Sequence, residues 1–144
     1  MNHISNITIS DNKIWFESID NSSDQDVSWK LDIDAICVIG FINRMNGDDD
    51  SDFLVFIDKK LKKYFLNLSK PLDGWRLVEQ YLTKYFSIRF NHQVYDSELV
   101  LFPQEFNSEK LYQTSFSKSF KTLFSITHVA DGELSEKIKN YILK

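Results

Sequence analysis

Hydrophobic and polar residues alternate near the start of the chain in a pattern that predicts β-strands. Ile7 and Ile9 alternate with polar residues, and Ile14 and Phe16 do the same beyond the polar turn at 10–12. Alternation places successive side chains on opposite faces of a sheet. The two segments therefore predict a hairpin with one face in the core.

The next segments predict a strand that moves toward the centre of the sheet. Residues 20–26 are polar and predict an exposed loop. Residues 27–33 alternate between apolar and polar positions, whereas residues 35–42 are apolar on both faces. We expect one long strand that bends near Asp34 and is central in its second part.

A second hairpin carries opposite charges at its two ends. The apolar run 53–57 lies between an acidic segment at 47–52 and a basic segment at 59–63, and the return strand covers 64–68. At ~3.3 Å per residue, the charged ends lie roughly 20 Å apart. The sequence therefore predicts acid along one border of the sheet and base along the opposite border.

The region after residue 70 predicts a helix and a further strand. Pro71 and Asp73 precede an apolar stripe at helical spacing, which predicts a helix over about 73–86 with Asp73 as its N-cap. The stripe consists of Trp75, Val78, Leu82, Tyr85 and Phe86. Residues 94–102 predict a strand that Pro103 ends.

Two apolar patterns predict helices near the end of the sequence. The first lies within 114–129 and has the spacing of an amphipathic helix, although its Ser, Thr and Phe content also fits a strand; its apolar positions are Phe116, Phe120, Leu123 and Phe124. The second begins after Asp131 or Ser135, either of which can cap it, and its apolar face contains Leu134, Ile138, Tyr141 and Ile142.

Strands followed by helices, without strand–helix alternation, predict an α+β fold. The 144 residues are enough for one domain with its own core, so we expect a single domain over residues 1–144. We predict a curved, mainly antiparallel sheet of five or six strands, packed by the helix at 73–86 and by C-terminal helices. The element order resembles a pleckstrin-homology half-barrel, although the chain after residue 94 departs from that pattern, and no function is transferred from that family.

Composition predicts a protein of the cytoplasm. The single cysteine allows no intramolecular disulfide, which fits a reducing compartment. The first residues lack the basic and apolar segments of a signal peptide. The longest run of apolar residues and glycine, 35–42, is far shorter than the ~20 residues of a membrane-spanning helix. We therefore expect no membrane span.

The charge distribution predicts a protein partner with a basic surface. Residues 1–58 contain twelve acidic and three basic residues, whereas residues 59–144 contain nine acidic and fourteen basic residues. Such asymmetry is typical of an interaction surface, although the two halves can also neutralise each other within one fold. The sequence pI of about 5.3 disfavours nucleic acid as the ligand.

The sequence contains no motif of a catalytic, cofactor or metal site. The acidic segment fails the EF-hand pattern because Phe53 and Lys59 stand where that loop needs Gly and Glu. Cys37 lies in an apolar strand, where burial raises the pKa of a thiol and makes it a poor nucleophile. The histidines His3, His92 and His128 do not have zinc-ligand spacing. We predict no enzyme activity, no cofactor and no metal.

Two groups of residues are candidates for binding a protein. The acidic segment contributes Asp48, Asp49, Asp50 and Asp52, whose mutual repulsion a basic partner relieves. Trp15 lies on the strand face opposite Ile14 and Phe16. It is exposed if the sheet is covered on one side only, and it then suits an interface anchor; it belongs to the core if both sides are covered.

These features support three hypotheses of function. The first is a small acidic, non-catalytic protein-binding module, for example an immunity or antitoxin-type inhibitor whose acidic border binds a basic partner. The second is a pleckstrin-homology-like module that binds phosphates of a lipid headgroup or nucleic acid through Lys59, Lys60, Lys62 and Lys63. The third is an assembly component of a phage or secretion apparatus. The oligomeric state stays open.

Overall fold

The computed structural model describes residues 5–18, 28–46, 49–88, 97–113 and 132–144. Within these ranges it contains eight strands, two α-helices and two short 3-10 turns at Ile33–Ala35 and Gln104–Phe106. The strands are β1 (Ser5–Ser10), β2 (Lys13–Glu17), β3 (Trp29–Asp32), β4 (Ile36–Asn46), β5 (Asp49–Asp58), β6 (Lys63–Asn67), β7 (Leu72–Asp73) and β8 (Ser97–Phe102). The helices are α1 (Trp75–Phe86) and α2 (Glu136–Leu143).

The first sheet has the strand order β3-β2-β1-β7, with the β1–β7 pair parallel and the other pairs antiparallel. The β1–β2 turn contains Asp11 and Asn12, both with positive φ, as expected for a tight two-residue hairpin. Ile7, Ile14 and Leu31 are buried on one face of this sheet. The alternating sequence pattern thus produces a sheet with one core face and one solvent face.

The second sheet has the strand order β6-β5-β4-β8 and is antiparallel throughout. Along β5, Leu54 and Phe56 belong to one hydrophobic cluster, whereas Phe53, Val55 and Ile57 belong to another. The unbroken apolar run of β5 is therefore explained by burial on both faces.

The described residues form two hydrophobic cores. The first core contains side chains of both sheets and of α1. The second core lies on the other face of the second sheet, where the C-terminal part of the chain covers it with Leu111, Tyr112, Leu134, Ile138 and Ile142. The molecule is thus layered as sheet, sheet and C-terminal segment, with α1 closing the first core.

The α+β class is confirmed, and the sheets are mostly antiparallel. The strands form two sheets of four instead of one sheet of five or six, and the sheets do not close into a barrel, so the half-barrel comparison does not hold. The expected bend near Asp34 is a 3-10 turn that connects β3 of the first sheet to β4 of the second. Ile33 is buried in this turn, and its amide donates to the carbonyl of Asn12 at 3.0 Å.

The start of α1 differs from the prediction. Asp73 is wrong as the N-cap: it pairs with Asn6 in the β1–β7 ladder, and Gly74 occupies the N-cap position with φ of 86°. The backbone turns sharply here because β7 must leave the sheet before the helix begins. A Cβ on Gly74 would collide with the carbonyl oxygen of Ile7, so glycine is required on steric grounds as well.

The other predicted elements have mixed outcomes. The strand before Pro103 is confirmed over Ser97–Phe102, and the last helix begins after Ser135, whose hydroxyl accepts from the Ile138 amide at 3.4 Å. The segment 114–129, Asp131 and the loop at 20–26 lie outside the described residues. In the described part of the chain, no helix is both long and apolar enough to cross a membrane.

Candidate binding surfaces

Trp15 lies at the centre of the solvent face of the first sheet. In the strand register it stands opposite Thr8 on β1 and Lys30 on β3, so these three side chains share one face. The neighbouring residues Ile14 and Phe16 point into the first core. With 38% of its surface accessible, Trp15 is exposed, which settles the question that the sequence left open.

The indole of Trp15 is held in one orientation by its neighbours. Its Nε1 donates to the carbonyl oxygen of Ser10 at 3.2 Å, and the ammonium of Lys30 lies 5.4 Å from the ring centroid. Because the one donor of the ring is already used, the exposed part of the indole offers apolar surface. A salt bridge of 3.7 Å between Lys13 and Asp32 borders it. Thr8, Trp15 and Lys30 together form one surface, which we call outer-face Trp15.

The basic turn is organised around the carboxylate of Asp58. Asp58 Oδ1 accepts from the amides of Lys60 and Lys62 at 2.9 and 3.0 Å, and Oδ2 accepts from the Tyr64 hydroxyl at 3.1 Å. Leu61 completes the turn with φ of 67°. The amides that could otherwise cradle a phosphate thus already bind an internal anion, which disfavours phosphate binding by this turn.

The four lysines predicted to bind phosphate do not form one cluster of exposed ammonium groups. Lys59 and Lys60 are exposed at the turn, and the Lys62 ammonium lies 5.0 Å from the Tyr64 ring centroid. Lys63 instead donates to the carbonyl of Gly132 at 2.6 Å, and so ties β6 to the C-terminal segment.

Carboxylates accompany the basic turn in space. Burial raises the pKa of Tyr64, and the hydrogen bond to Asp58 and the negative charges of Asp58 and Asp32 raise it further. Asp32 comes to this end because the first sheet joins the second here. The hairpin itself does separate its charged ends, since β5 extends ten residues or roughly 30 Å. The basic border of the sheet thus also carries the carboxylates of Asp58 and Asp32.

The described part of the acidic segment, residues 49–52, lies at the start of β5, at the end opposite the basic turn. Asp48 lies outside the described residues, and the backbones of Asp49 and Asp50 belong to the start of β5. Asp52 is half-buried, and its Oδ1 accepts from Nδ2 of the buried Asn43 at 2.6 Å. Asp52 therefore stabilises the pairing of β4 and β5, a role that the sequence alone did not indicate.

A further surface on α1 was missed by the sequence prediction. Tyr85 was assigned to the apolar stripe of the helix, but 50% of it is accessible, and Leu77 is 74% accessible. Both lie one helical turn from Tyr81, which is half-buried. The signal in the sequence was the spacing of Leu77, Tyr81 and Tyr85, a second stripe beside the buried one.

The cysteine and the possible metal ligands offer no site in the described residues. Cys37 is half-buried, and burial raises the pKa of its thiol although the charge of Lys59 opposes this effect. Among the described residues, no group of three or more His, Cys, Asp or Glu side chains could hold a metal ion. The three histidines lie outside those residues.

Comparison with known proteins does not identify the chain. No family model, curated protein or solved structure matches it.

Proposed function

We propose that this protein is a non-catalytic module that binds another protein through outer-face Trp15. One observation carries the proposal: a tryptophan lies exposed in the middle of a regular sheet face, and its ring is fixed by Ser10 and Lys30. Monomeric domains usually bury so large an apolar ring, and tryptophan is enriched among the residues that dominate interface energies.

The rigid setting of Trp15 favours binding on energetic grounds. A side chain whose rotamer is already fixed loses little conformational entropy when a partner covers it, so most of its apolar burial contributes to affinity. Truncation of such an anchor typically costs about 2 kcal/mol or more of binding free energy. Thr8 and Lys30 supply a polar border that can hydrogen-bond to the same partner.

An immunity or antitoxin-type inhibitor is the more specific form of this proposal. It is supported by the acidic first half of the chain and by the position of Asp49, Asp50 and Asp52 near the start of β5. In this form the acidic segment attracts a basic partner and speeds association, while Trp15 sets the lifetime of the complex.

Affinity capture with paired variants tests the proposal. Trp15→Ala removes the anchor, and Leu143→Ala is the matched control because Leu143 is a large apolar residue with 59% exposure at the end of α2. We expect a native extract to yield a partner with the wild type and with Leu143→Ala, but not with Trp15→Ala. Equal capture by all three proteins would refute the proposed surface.

The inhibitor form has a separate test in the rate of association. With the captured partner in hand, we expect association to slow with added salt, and to slow at low salt in the double variant Asp48→Ala, Asp50→Ala. Asp73→Ala, which removes an exposed acid near the start of α1, is the control. A salt-independent rate would exclude attraction by the acidic segment while leaving the role of Trp15 intact.

A further inference from the structure

Helix α1 exposes a second aromatic surface. Leu77 and Tyr85 are largely exposed, and Tyr81 lies between them on the same side of the helix. The buried residues of this helix, Val78, Leu82 and Phe86, form the neighbouring stripe. The exposed stripe is therefore additional to the packing of α1 in the first core.

The two tyrosines of this stripe stack on each other and form an ordered aromatic pair. Their ring centroids are 5.5 Å apart and their planes differ by only 12°, so the rings are stacked. Tyr85 also contacts the ring of Phe86 edge-on, with centroids 4.8 Å apart. Because Phe86 is buried, this contact fixes the pair to the core.

The carboxylate of Asp34 lies at the edge of the pair. It accepts from the Tyr85 hydroxyl at 3.5 Å and from Nδ2 of Asn12 at 2.9 Å. The first of these bonds is long, and neither partner is charged. Within the described part of the chain, Asp34 forms no salt bridge. An exposed negative charge beside a stacked aromatic pair is thus left without a cationic partner from the described residues.

We propose that Leu77, Tyr81, Tyr85 and Asp34, together the tyrosine platform, bind an arginine-bearing segment of a partner protein. A guanidinium group is planar, so it can stack on an outer face of the tyrosine pair and donate hydrogen bonds to the Asp34 carboxylate at the same time. Leu77 extends the surface for an aliphatic residue of the same segment. This inference does not depend on the role of Trp15.

Arginine suits this surface better than lysine. The ammonium group of lysine is compact and strongly hydrated, whereas guanidinium stacks on aromatic faces and is more weakly hydrated. Lys84 is the exposed cation nearest to Tyr85 along the helix, and its charge opposes a bound guanidinium. Removal of that charge should therefore strengthen binding.

The test uses a peptide of four Leu-Arg-Ala repeats and a matched peptide in which neutral citrulline replaces arginine. We expect amide NMR shifts centred on residues 34, 81 and 85 with the arginine peptide, and little change with the citrulline peptide. Asp34→Asn should weaken binding about tenfold, because it removes the negative charge of the acceptor that bonds to the guanidinium group. Tyr85→Leu should also weaken binding, and Lys84→Gln should strengthen it.

Control variants separate this inference from non-specific attraction and from the first proposal. Asp73→Asn removes an exposed acid on the other end of α1 and should leave the affinity unchanged, as should Trp15→Ala. The inference is overturned if the arginine peptide does not bind, if citrulline binds equally well, or if Asp34→Asn and Asp73→Asn weaken binding to the same extent. Shifts spread over all acidic residues would overturn it as well.

Discussion

The indole Nε1 of Trp29, on the first sheet, donates a hydrogen bond of 3.2 Å to the main-chain carbonyl of Phe65 on the edge strand of the second sheet. The amide of Leu68 donates to the carbonyl of Asp52, and the amide of Asp58 donates to the carbonyl of Lys62. In the β5–β6 register, the even-numbered residues of β6 are therefore the ones that form hydrogen bonds with β5. The carbonyl of Phe65 therefore points away from β5. Trp29 occupies an acceptor that an incoming strand could otherwise use.

Substitution of Trp29 separates this hydrogen bond from its packing. Trp29→Phe removes the donor and should lower the free energy of unfolding by about 1 kcal/mol. Trp29→Ala also removes the contacts with Phe16, Phe56 and Tyr64, whose ring centroids lie 5.5–6.0 Å away, and should cost about 3 kcal/mol. Urea unfolding measures both values; equal costs would show that packing contributes nothing.

At the start of α1 the loss of a glycine should destabilise the fold, whereas at its end the gain of a glycine should stabilise it. Gly74→Ala should destabilise the protein by about 2 kcal/mol or more, because it adds left-handed strain and a collision with the Ile7 carbonyl. Ser87 has φ of 55° at the C-cap, so Ser87→Gly should stabilise by about 0.5–1 kcal/mol. Thermal unfolding of both variants checks the signs, and a stabilising Gly74→Ala would contradict the backbone geometry.

Asp58 should be the residue on which the basic turn depends. Asp58→Ala removes the acceptor of two amides and of the Tyr64 hydroxyl, and should cost about 1–3 kcal/mol. The NMR signals of the Lys60 and Lys62 amides should shift most. Asp73→Ala, at an exposed site, serves as the control and should change stability by less than about 0.5 kcal/mol. Unchanged amide signals in Asp58→Ala would show that the turn forms without it.

Alkaline pH should destabilise the fold through its tyrosines. Burial is the main cause that raises the pKa of Tyr64 and Tyr141 above the ordinary value of 10.0. A raised folded-state pKa means that stability is fully present below about pH 10 and is lost as the pH rises through the folded-state values. Tyr64→Phe is the variant for comparison. Its stability should fall less steeply with pH than that of the wild type, and an identical slope would contradict the assignment.

The pKa of Tyr85 offers a local test of the tyrosine platform. Partial loss of water contact raises the Tyr85 pKa, and the charge of Asp34 is the next cause. Asp34→Asn should therefore lower the pKa of Tyr85 while leaving that of Tyr141 unchanged. Ultraviolet or NMR titration of the phenol follows both groups. No change at Tyr85 would mean that Asp34 lies farther from the hydroxyl than in this structure.

The strands could be predicted because the order of apolar and polar residues along a strand reflects which of its faces are buried. Alternation marked β1 and β2, and the unbroken apolar run marked β5, whose two faces lie in different cores. The division into two sheets could not be predicted. It depends on the buried turn at Ile33, where a bonded contact with Asn12 joins residues far apart in sequence.

The candidate sites were harder to predict than the strands. Exposure of Trp15 depends on whether a second layer covers the outer face, and the local sequence does not encode that layer. The tyrosine platform was not predicted, because the spacing of Tyr85 assigned it to the buried stripe of α1. In the structure Tyr85 lies at the border of that stripe and is exposed. Asp32 approaches the basic turn only through the path of the chain between the two sheets.

Site-specific photo-cross-linking in native extract tests the role of outer-face Trp15 most directly. A photoreactive residue replaces Thr8, which stands opposite Trp15 in the strand register. We predict one cross-linked protein that disappears when Trp15→Ala is added and persists when Leu143→Ala is added instead. A cross-link that survives loss of the indole, or none at all beside a partner captured by another face, would contradict the claim that this tryptophan anchors the interface.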